Sequence, residues 1–164
     1  NKWLYNYQYA GVISQMANTK IIHCCRNPLD NILSIHRTNF ARGNEYSTSL
    51  IESTKIYLDQ QSTIEEYKKR FPSKIYSVDY DLLVRNPHDE IKLLISWLGW
   101  VWSEAYLSPE LNIRSISTAS NVQVRSPINS RSIGGWINYK EMLEPAIRMI
   151  KDNETYKNKI FDFR

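Results

Sequence analysis

Apolar side chains in the first half of the chain recur with two helical patterns. Over residues 3–17 they recur at spacings of one, three and four, which predicts a helix. They are Leu4, Tyr5, Tyr9, Val12, Ile13 and Met16. A near-heptad pattern over residues 47–71 predicts a long amphipathic helix. That helix should end before Pro72, because proline disfavours helical backbone in the residue before it.

Two shorter patterns predict strands. Residues 19–25 form a short apolar run with two adjacent isoleucines, which is typical of a buried strand, and residues 74–80 alternate between apolar and polar. After the first strand, Asn27 is a natural N-cap and Pro28 suits the first helical position. These signals predict a helix from Pro28 to about Phe40.

The second half of the chain contains two more predicted helices and an irregular stretch. Asn86-Pro87 repeats the cap-then-proline signal, and the helix after it has one apolar face and ends at Gly99. Residues 107–135 are rich in Ser, Asn and Gly and fit neither helix nor strand. A long irregular stretch inside a compact domain usually has a function. A last helix is predicted over about 137–151.

Helices that separate strands indicate an α/β fold, in which helices flank a layered parallel sheet. Two parallel strands do not form an independent sheet. Either further strands are present in these residues, or chain outside them completes the sheet.

Length and composition exclude several classes of protein. The 164 residues fit one domain with a real core. No run approaches the ~20 apolar residues of a membrane helix, so no membrane segment is expected in this chain. The adjacent Cys24 and Cys25 predict two reduced thiols without a zinc site, and a cytoplasmic location is favoured.

Charge is distributed unevenly along the chain. Lys and Arg number 21 against 17 Asp and Glu, yet residues 1–29 and 111–140 together hold seven bases and no acid. If the fold brings these acid-free windows together, they form a positive field suited to a phosphate or sulfate. Chance clustering is the alternative.

The carboxyl end of the first predicted strand offers an anion site. Open parallel sheets bind ligands at this edge, where Arg26 and Asn27 lead into a helix N-terminus. We expect free backbone N–H groups, the helix dipole and the Arg26 guanidinium to act together, with the Ser34 hydroxyl as a further donor. The alternative is a surface Arg26 that pairs with Asp30.

Two other segments can reach the same crevice. Tyr80, at the end of the second strand, can bring a hydroxyl to this crevice. The alternative is that Tyr80 is an aromatic core residue whose hydroxyl reaches solvent. Gly134 and Gly135 permit close backbone approach or positive φ. Both belong to residues 120–136, which we call the late segment. The alternative for the late segment is a crossing loop that Trp136 anchors in the core.

Three segments with motif-like spacing follow one another in the chain. They are CRNPLDNILSIHR, YSVDYDLLVRNPHDEIKLLISWLGWVW and SNVQVRSPINSRSIGGWINY. In this order they resemble the RxPxDxxxS segment, the YEDLV-x-P-…-LLxFLGLPW segment and the late loop S-x-x-Q-V-x-x-P-V-…-S-x-G-x-W-x-x-Y of sulfotransferases. The likeness runs from residue 1 to about 150, and it is to the bacterial and tyrosylprotein-sulfotransferase-like branch.

The resemblance implies a P-loop-like sulfotransferase fold and a nucleotide donor. The donor is 3′-phosphoadenosine 5′-phosphosulfate (PAPS), the product is adenosine 3′,5′-bisphosphate, and the acceptor is a hydroxyl of a sugar, a tyrosine or a small alcohol. Arg26 and Ser34 match residues that bind the 3′-phosphate, and Tyr80 matches a tyrosine that touches the same phosphate region. Gln123 matches a late-loop residue beside the nucleotide. Arg131 substitutes for a basic residue that the family often has just before the loop tryptophan.

Two further matches imply catalytic roles. Lys2 matches a lysine that reaches the sulfonyl oxygens, and Ser120 matches the late-loop serine closest to the sulfonyl group. In sulfuryl transfer, negative charge grows on the bridging oxygen, so a lysine and a hydroxyl there stabilise the transition state. No metal ion is implied, because side chains and backbone handle the charges.

The chain departs from the family in the segment that should precede residue 1. The phosphosulfate loop and the general base are expected there, and none of His23, His36 and His88 matches the base. We therefore expect residues 1–164 to be a single, partial sulfotransferase domain that is incomplete at its N-terminus. Alone it should transfer no sulfate, and it should bind the bisphosphate weakly through Arg26.

Two other function classes remain open. One is a non-catalytic module that binds anions or sulfated glycans through the basic crevice. The other is a nucleotide kinase-like P-loop relative, which needs a phosphate-cradling glycine loop and a magnesium-binding acid. Nucleic-acid binding is not expected, because the bases are spread out and the aromatic residues fall mostly at helical core spacing.

Overall fold

The computed structural model describes residues 4–38, 40, 42–112 and 125–157. This part of the chain forms two parallel strands and seven α-helices, which confirms the α/β class. They are α1 Ala10–Gln15, β1 Ile21–Cys25, α2 Pro28–Arg37, α3 Leu50–Arg70, β2 Ile75–Asp79, α4 Tyr80–Arg85, α5 Pro87–Leu98, α6 Glu144–Asp152 and α7 Glu154–Lys157. Short 3-10 helices cover Leu4–Tyr9, Glu45–Thr48, Glu104–Leu107, Pro109–Leu111 and Gly135–Tyr139. None of the described helices has the length and apolar character that a bilayer span requires.

The register of the two strands decides which residues meet at their carboxyl ends. Ile21 pairs with Ile75 and Cys25 pairs with Asp79. Because the strands run parallel, the residues that follow them leave the sheet at the same edge. We call Arg26–Asn27 and Tyr80–Asp81 together the carboxyl edge.

The helix after β1 begins as the sequence predicts. The Asn27 side chain accepts hydrogen bonds from the backbone N–H groups of Leu29 (2.9 Å) and Asp30 (3.2 Å), and proline follows the cap. The helix ends at Arg37 rather than near Phe40, because the next residue is already extended. Asn27 is therefore a working N-cap, worth roughly 0.5–2 kcal/mol.

The other predicted cap behaves differently. Asn86 precedes Pro87 at the start of α5, but its side chain makes no capping hydrogen bond. At the far end, Gly99 has φ 76° and closes α5 as predicted. The Asn-Pro signal thus marks both helix starts, and only Asn27 caps through its side chain.

Helices α2, α3 and α6 enclose the main core. Its buried residues are Leu29, Ile32, Leu33, Tyr57, Trp136, Leu143, Ala146, Ile147, Ile150 and Tyr156. Full burial of one such aliphatic side chain contributes about 1.5–3 kcal/mol. Since Trp136 is 3% exposed, the late segment is anchored in this core.

The N-terminal segment differs from its predicted single helix. It consists of the 3-10 helix Leu4–Tyr9 followed by the short α1. The apolar Val12 and Met16 are 66% and 56% exposed, and the buried side of α1 carries the small residues Ala10, Gly11 and Ser14 instead. A Cβ at Gly11 would lie 2.5 Å from Cε1 of Tyr67 on α3. Close approach to α3 therefore orients α1, and the apolar spacing does not.

The last predicted helix is divided in two. Residues 137–151 were expected to be continuous, but the 3-10 helix Gly135–Tyr139 is separated by turns from α6. Pro145 lies in the first turn of α6. Proline lacks a backbone N–H and is tolerated at a helix start rather than in its interior, so the helix begins there.

Candidate functional site

Arg26 and Tyr80 meet at the carboxyl edge. Each follows directly on the strand pair Cys25–Asp79. The Arg26 guanidinium carbon lies 5.0 Å from the centroid of the Tyr80 ring, which is a cation–π contact. The structure thus brings together two residues that the sequence placed in one crevice.

The Arg26 guanidinium also contacts the late segment. Its Nη2 donates a hydrogen bond to the Ser132 carbonyl oxygen (2.5 Å) and lies 3.6 Å from Oδ2 of Asp30. Its Nε is buried and has no hydrogen-bond partner among the described residues. A base of the first acid-free window therefore touches the second window, and the pairing with Asp30 that was the alternative reading of Arg26 also forms.

Asp30 has a larger role than the sequence indicated. It is 4% exposed, and its carboxylate accepts hydrogen bonds from the backbone N–H groups of Gly134 (2.7 Å) and Trp136 (2.9 Å). Gly134 has φ 72°, a left-handed conformation that favours glycine. The paired glycines before the tryptophan were the available signal for this contact. We call these bonds the Asp30 clamp, because they hold residues 134–136 against α2.

The expectation of free backbone N–H groups at the start of α2 is wrong. Asn27 occupies the N–H groups of Leu29 and Asp30 with its own side chain. The Asn27 N–H donates to Oδ2 of Asp81 (2.8 Å), which ties the end of β1 to the start of α4. An anion at this edge must therefore be held chiefly by side chains.

The remaining predicted site residues lie farther along the chain. Ser34 is exposed on α2, and its carbonyl accepts a hydrogen bond from the Thr38 hydroxyl. Arg131 is exposed, and its guanidinium forms no ion pair with any described residue. Its neighbour Ser132 is the Arg26 partner. The structure does not describe Lys2, Ser120 and Gln123, which lie outside its residues.

A cavity of about 430 Å³ lies beneath the carboxyl edge, between the sheet and α3. Its lining includes His23, Cys25, Arg26, Asn27, Tyr57, Gln61, Glu65, Lys68, Ser77, Asp79, Asp81 and Tyr156. His23 is 8% exposed, and burial, with a contribution from Lys68, lowers its pKa. The Tyr57 and Tyr156 hydroxyls are 3.0 Å apart, and burial raises both pKa values, that of Tyr156 to about 12. These three side chains are therefore neutral near pH 7.

The three histidines lie within strands or helices, and the two cysteines are not bonded to each other. His23 lies in β1, His36 in α2 and His88 in α5, so none follows a strand at the carboxyl edge. Both cysteines are free thiols, and burial raises the pKa of each. No cluster of His, Cys, Asp and Glu suited to a metal ion occurs among the described residues.

Comparison with known proteins bears on the same elements. A family model described as "Sulfotransferase family" matches residues 1–104, which include Arg26, Ser34 and Tyr80 but not the late segment. An uncharacterized protein of Aquifex aeolicus (strain VF5) is 31% identical over 156 residues, which is 93% of this chain and 20% of that protein. The chain therefore spans about a fifth of the length of this relative.

Proposed function

The chain belongs to the sulfotransferase family, and from that premise we propose that its carboxyl edge binds the 3′-phosphate of PAPS. The sulfuryl group of PAPS would pass to a hydroxyl acceptor, and adenosine 3′,5′-bisphosphate would be the product. The acceptor would be a sugar, a tyrosine or a small alcohol. Family membership supports the coarser part of this proposal, which is the transfer of sulfuryl groups.

The position of Arg26 is the observation that carries this proposal. Its guanidinium lies where the ends of β1 and β2 and the late segment meet. Arginine binds phosphate through several N–H donors in a fixed plane, and the Arg26 side chain is 19% exposed at this edge. The site thus fits an anionic phosphate at the exposed part of the guanidinium.

Three other side chains would assist Arg26 in binding the nucleotide. The Ser34 hydroxyl, on the exposed side of α2, would donate to the phosphate, and the Tyr80 ring would hold the guanidinium in place. The exposed Arg131 would add positive charge from the late segment, where Gln123 would lie beside the nucleotide. Lys2 and Ser120 would serve the sulfonyl group, as the family pattern implies.

Three carboxylates lie near the proposed anion site, and backbone N–H groups stabilise the charge of each. Asp30 and Asp79 each accept hydrogen bonds from two backbone N–H groups, and Asp81 accepts one. Such bonds stabilise the carboxylate charge locally. We propose that the anion faces Arg26, Ser34 and Arg131 rather than these oxygens.

The finer architecture is also a proposal. We infer that β1 and β2 belong to a larger layered sheet of the P-loop-like sulfotransferase type, with the phosphosulfate loop and general base outside residues 1–164. The 43% exposed Ile22 on β1 supports this, because parallel strands are normally covered on both faces. Transfer of sulfate would need those further elements.

A nucleotide titration tests the proposed site. Adenosine 3′,5′-bisphosphate should bind more tightly than adenosine 5′-monophosphate, which lacks the 3′-phosphate. Arg26→Ala should remove most of this difference, and Ser34→Ala part of it. Arg70→Ala is the matched control, because Arg70 is exposed at the end of α3 that leads to the opposite edge of the sheet. If Arg26→Ala distinguishes the two nucleotides as well as the unmodified protein does, the assignment is wrong.

A further inference from the structure

The amino ends of the two strands form a second edge of the sheet, which lies opposite the proposed nucleotide site. Lys20 and Lys74 directly precede β1 and β2, and the Ile21 N–H donates to the Lys74 carbonyl oxygen (2.8 Å). We call this end of the sheet the amino edge. An open groove of about 1030 Å³ lies there, which we call the amino-edge groove, and its lining includes Asn18, Lys20, Lys74, Trp97, Leu98 and Trp100.

The amino-edge groove has positive charge that no acid of its lining compensates. Neither Lys20 nor Lys74 forms an ion pair with a described residue, and no Asp or Glu lines the groove. Lys20 Nζ donates to the Trp97 carbonyl oxygen, and Lys74 Nζ donates to that of Met16 (3.1 Å). These bonds hold both ammonium groups near helix C-termini, whose negative dipole ends offset part of their charge. Since an ammonium has three N–H donors, each lysine keeps two for an anion.

Apolar side chains extend into solvent beside these ammonium groups. Gly99 ends α5 with a left-handed φ of 76°, and the chain leaves the helix at Trp100 and Val101, which are 59% and 87% exposed. Met16, whose carbonyl oxygen holds Lys74, is exposed as well. Lysine and tryptophan beside exposed aliphatic side chains are typical of surfaces that lie in a membrane interface.

The neighbouring acids do not cancel this charge. The end of α5 contacts Lys20 at the start of β1, so α5 runs back from the carboxyl edge. Its acids Asp89 and Glu90 lie in the first turn, roughly 14 Å from its C-terminus at 1.5 Å per residue. At the end of α3, Glu66 is paired with Lys69 (2.7 Å). The amino edge is therefore positively charged.

The combination of charge and apolar exposure distinguishes between two kinds of partner. A soluble polyanion, such as a sulfated polysaccharide, would satisfy Lys20 and Lys74 but would leave Val101 and Met16 in water. An anionic bilayer satisfies both, because its surface is negative and its interior is apolar. The observations thus favour a lipid surface.

We propose that the amino edge docks on an anionic lipid bilayer. A lipid headgroup lies in the amino-edge groove and accepts hydrogen bonds from Lys20 and Lys74, and Trp100 and Val101 enter the interfacial layer. The groove is large enough for a headgroup. The carboxyl edge then faces away from the bilayer, so the nucleotide site stays open to solvent, and this docking does not depend on the proposed function.

Cosedimentation with lipid vesicles tests the docking. The protein should bind vesicles of equimolar phosphatidylcholine and phosphatidylserine, and it should not bind vesicles of phosphatidylcholine alone. Added salt should weaken the binding, because it screens charges at the surface. Glycerophosphoserine, the soluble headgroup, should not release the protein at the same phosphate concentration, because it offers nothing to Trp100 and Val101.

Four variants and their matched controls locate the contact. Trp100→Ala should weaken vesicle binding roughly tenfold. Lys20→Gln and Lys74→Gln should each weaken it up to about fivefold, and Lys74→Arg should retain it because the charge remains. Leu82→Ala removes an exposed apolar side chain from α4, which follows the opposite edge, and Lys55→Gln removes an exposed charge near the start of α3. Both controls should bind vesicles like the unmodified protein.

Several results would overturn the proposal. They are equal binding to both kinds of vesicle, unchanged binding of Trp100→Ala, and release of the protein by glycerophosphoserine. Binding of dextran sulfate through Lys20 and Lys74 without any vesicle binding would assign the groove to a soluble polyanion instead. Thermal unfolding shows which variants fold, and Trp100→Ala decides the outcome if Lys20→Gln does not.

Discussion

Replacing Asp30 by alanine should release the late segment from α2 and destabilise the protein strongly. The change leaves the Gly134 and Trp136 N–H groups and the Arg26 guanidinium without their shared acceptor. Breaking a buried charged interaction by removing one partner costs about 3–5 kcal/mol. We expect a loss of free energy of unfolding in this range for Asp30→Ala.

The conservative variant refines the magnitude. Asp30→Asn keeps one carbonyl oxygen, so one backbone N–H retains its acceptor and the other faces an amide NH₂. Hydrogen bonds to charged groups contribute roughly 1.5–3 kcal/mol each, so the asparagine variant should lose about that amount. The expected order of stability is unmodified protein, then Asp30→Asn, then Asp30→Ala.

Urea unfolding gives the free energies, and hydrogen exchange locates the effect. The amide protons of Gly134 and Trp136 should exchange faster in both variants, whereas those of α5, which packs mainly on α4 and β2, should not. Glu52→Ala is the control, because Glu52 pairs with Lys55 in an ion pair whose side chains are more than half exposed, and it should change stability little. Equal losses for Asp30→Ala and Glu52→Ala, or unchanged exchange at the two amides, would refute the clamp.

Two further predictions concern other parts of the fold. Asn27→Ala should lower the free energy of unfolding by roughly 0.5–2 kcal/mol, whereas Asn86→Ala should lower it less, because only Asn27 caps with its side chain; equal urea midpoints for the two variants would contradict this. The pKa of His23 is lowered from 6.5 in the folded protein, so below pH 6.5 the unfolded chain binds more protons at this residue. The contribution of His23 to the free energy of unfolding is therefore complete above pH 6.5, and it decreases as the pH falls from 6.5 toward the folded-state pKa. In thermal unfolding between pH 7.5 and 5, His23→Gln should lose less stability at acid pH than the unmodified protein. Identical pH profiles for the two proteins would show that His23 does not cause the loss of stability.

Local signals predicted the elements that position the site. The apolar run before Arg26, the cap at Asn27 and Pro28 and the alternation before Tyr80 are all short-range patterns, and each element lies where they place it. The long connection between the strands permits the parallel pairing that the structure shows. These elements bring Arg26 and Tyr80 together, which is as much of the site as the sequence could place.

Most of the errors arose where distant residues decide the outcome. At the start of α2, the Asn27 N–H donates to Asp81, 54 positions away, and only the fold joins the two. The N–H groups of Leu29 and Asp30 are the exception, because the locally predicted cap at Asn27 occupies them itself. The exposed side of α1 was set by Gly11 against Tyr67, a contact of small and large residues that periodicity does not encode. The cavity around His23 depends on α3 and both strands together, so no local pattern indicated it.

The contacts of Arg26 couple ligand binding at the carboxyl edge to the attachment of the late segment. The guanidinium that would receive a phosphate also holds the Ser132 carbonyl, two residues before the Asp30 clamp begins. A ligand that draws Arg26 away from Ser132 weakens the attachment of the segment, and a change that frees the segment alters the affinity for that ligand by the same factor. Trp136 lies at the end of this connection with its indole in the core, 3% exposed. The protein thus contains an intrinsic optical reporter, whose fluorescence would register what is bound at the other end of the segment.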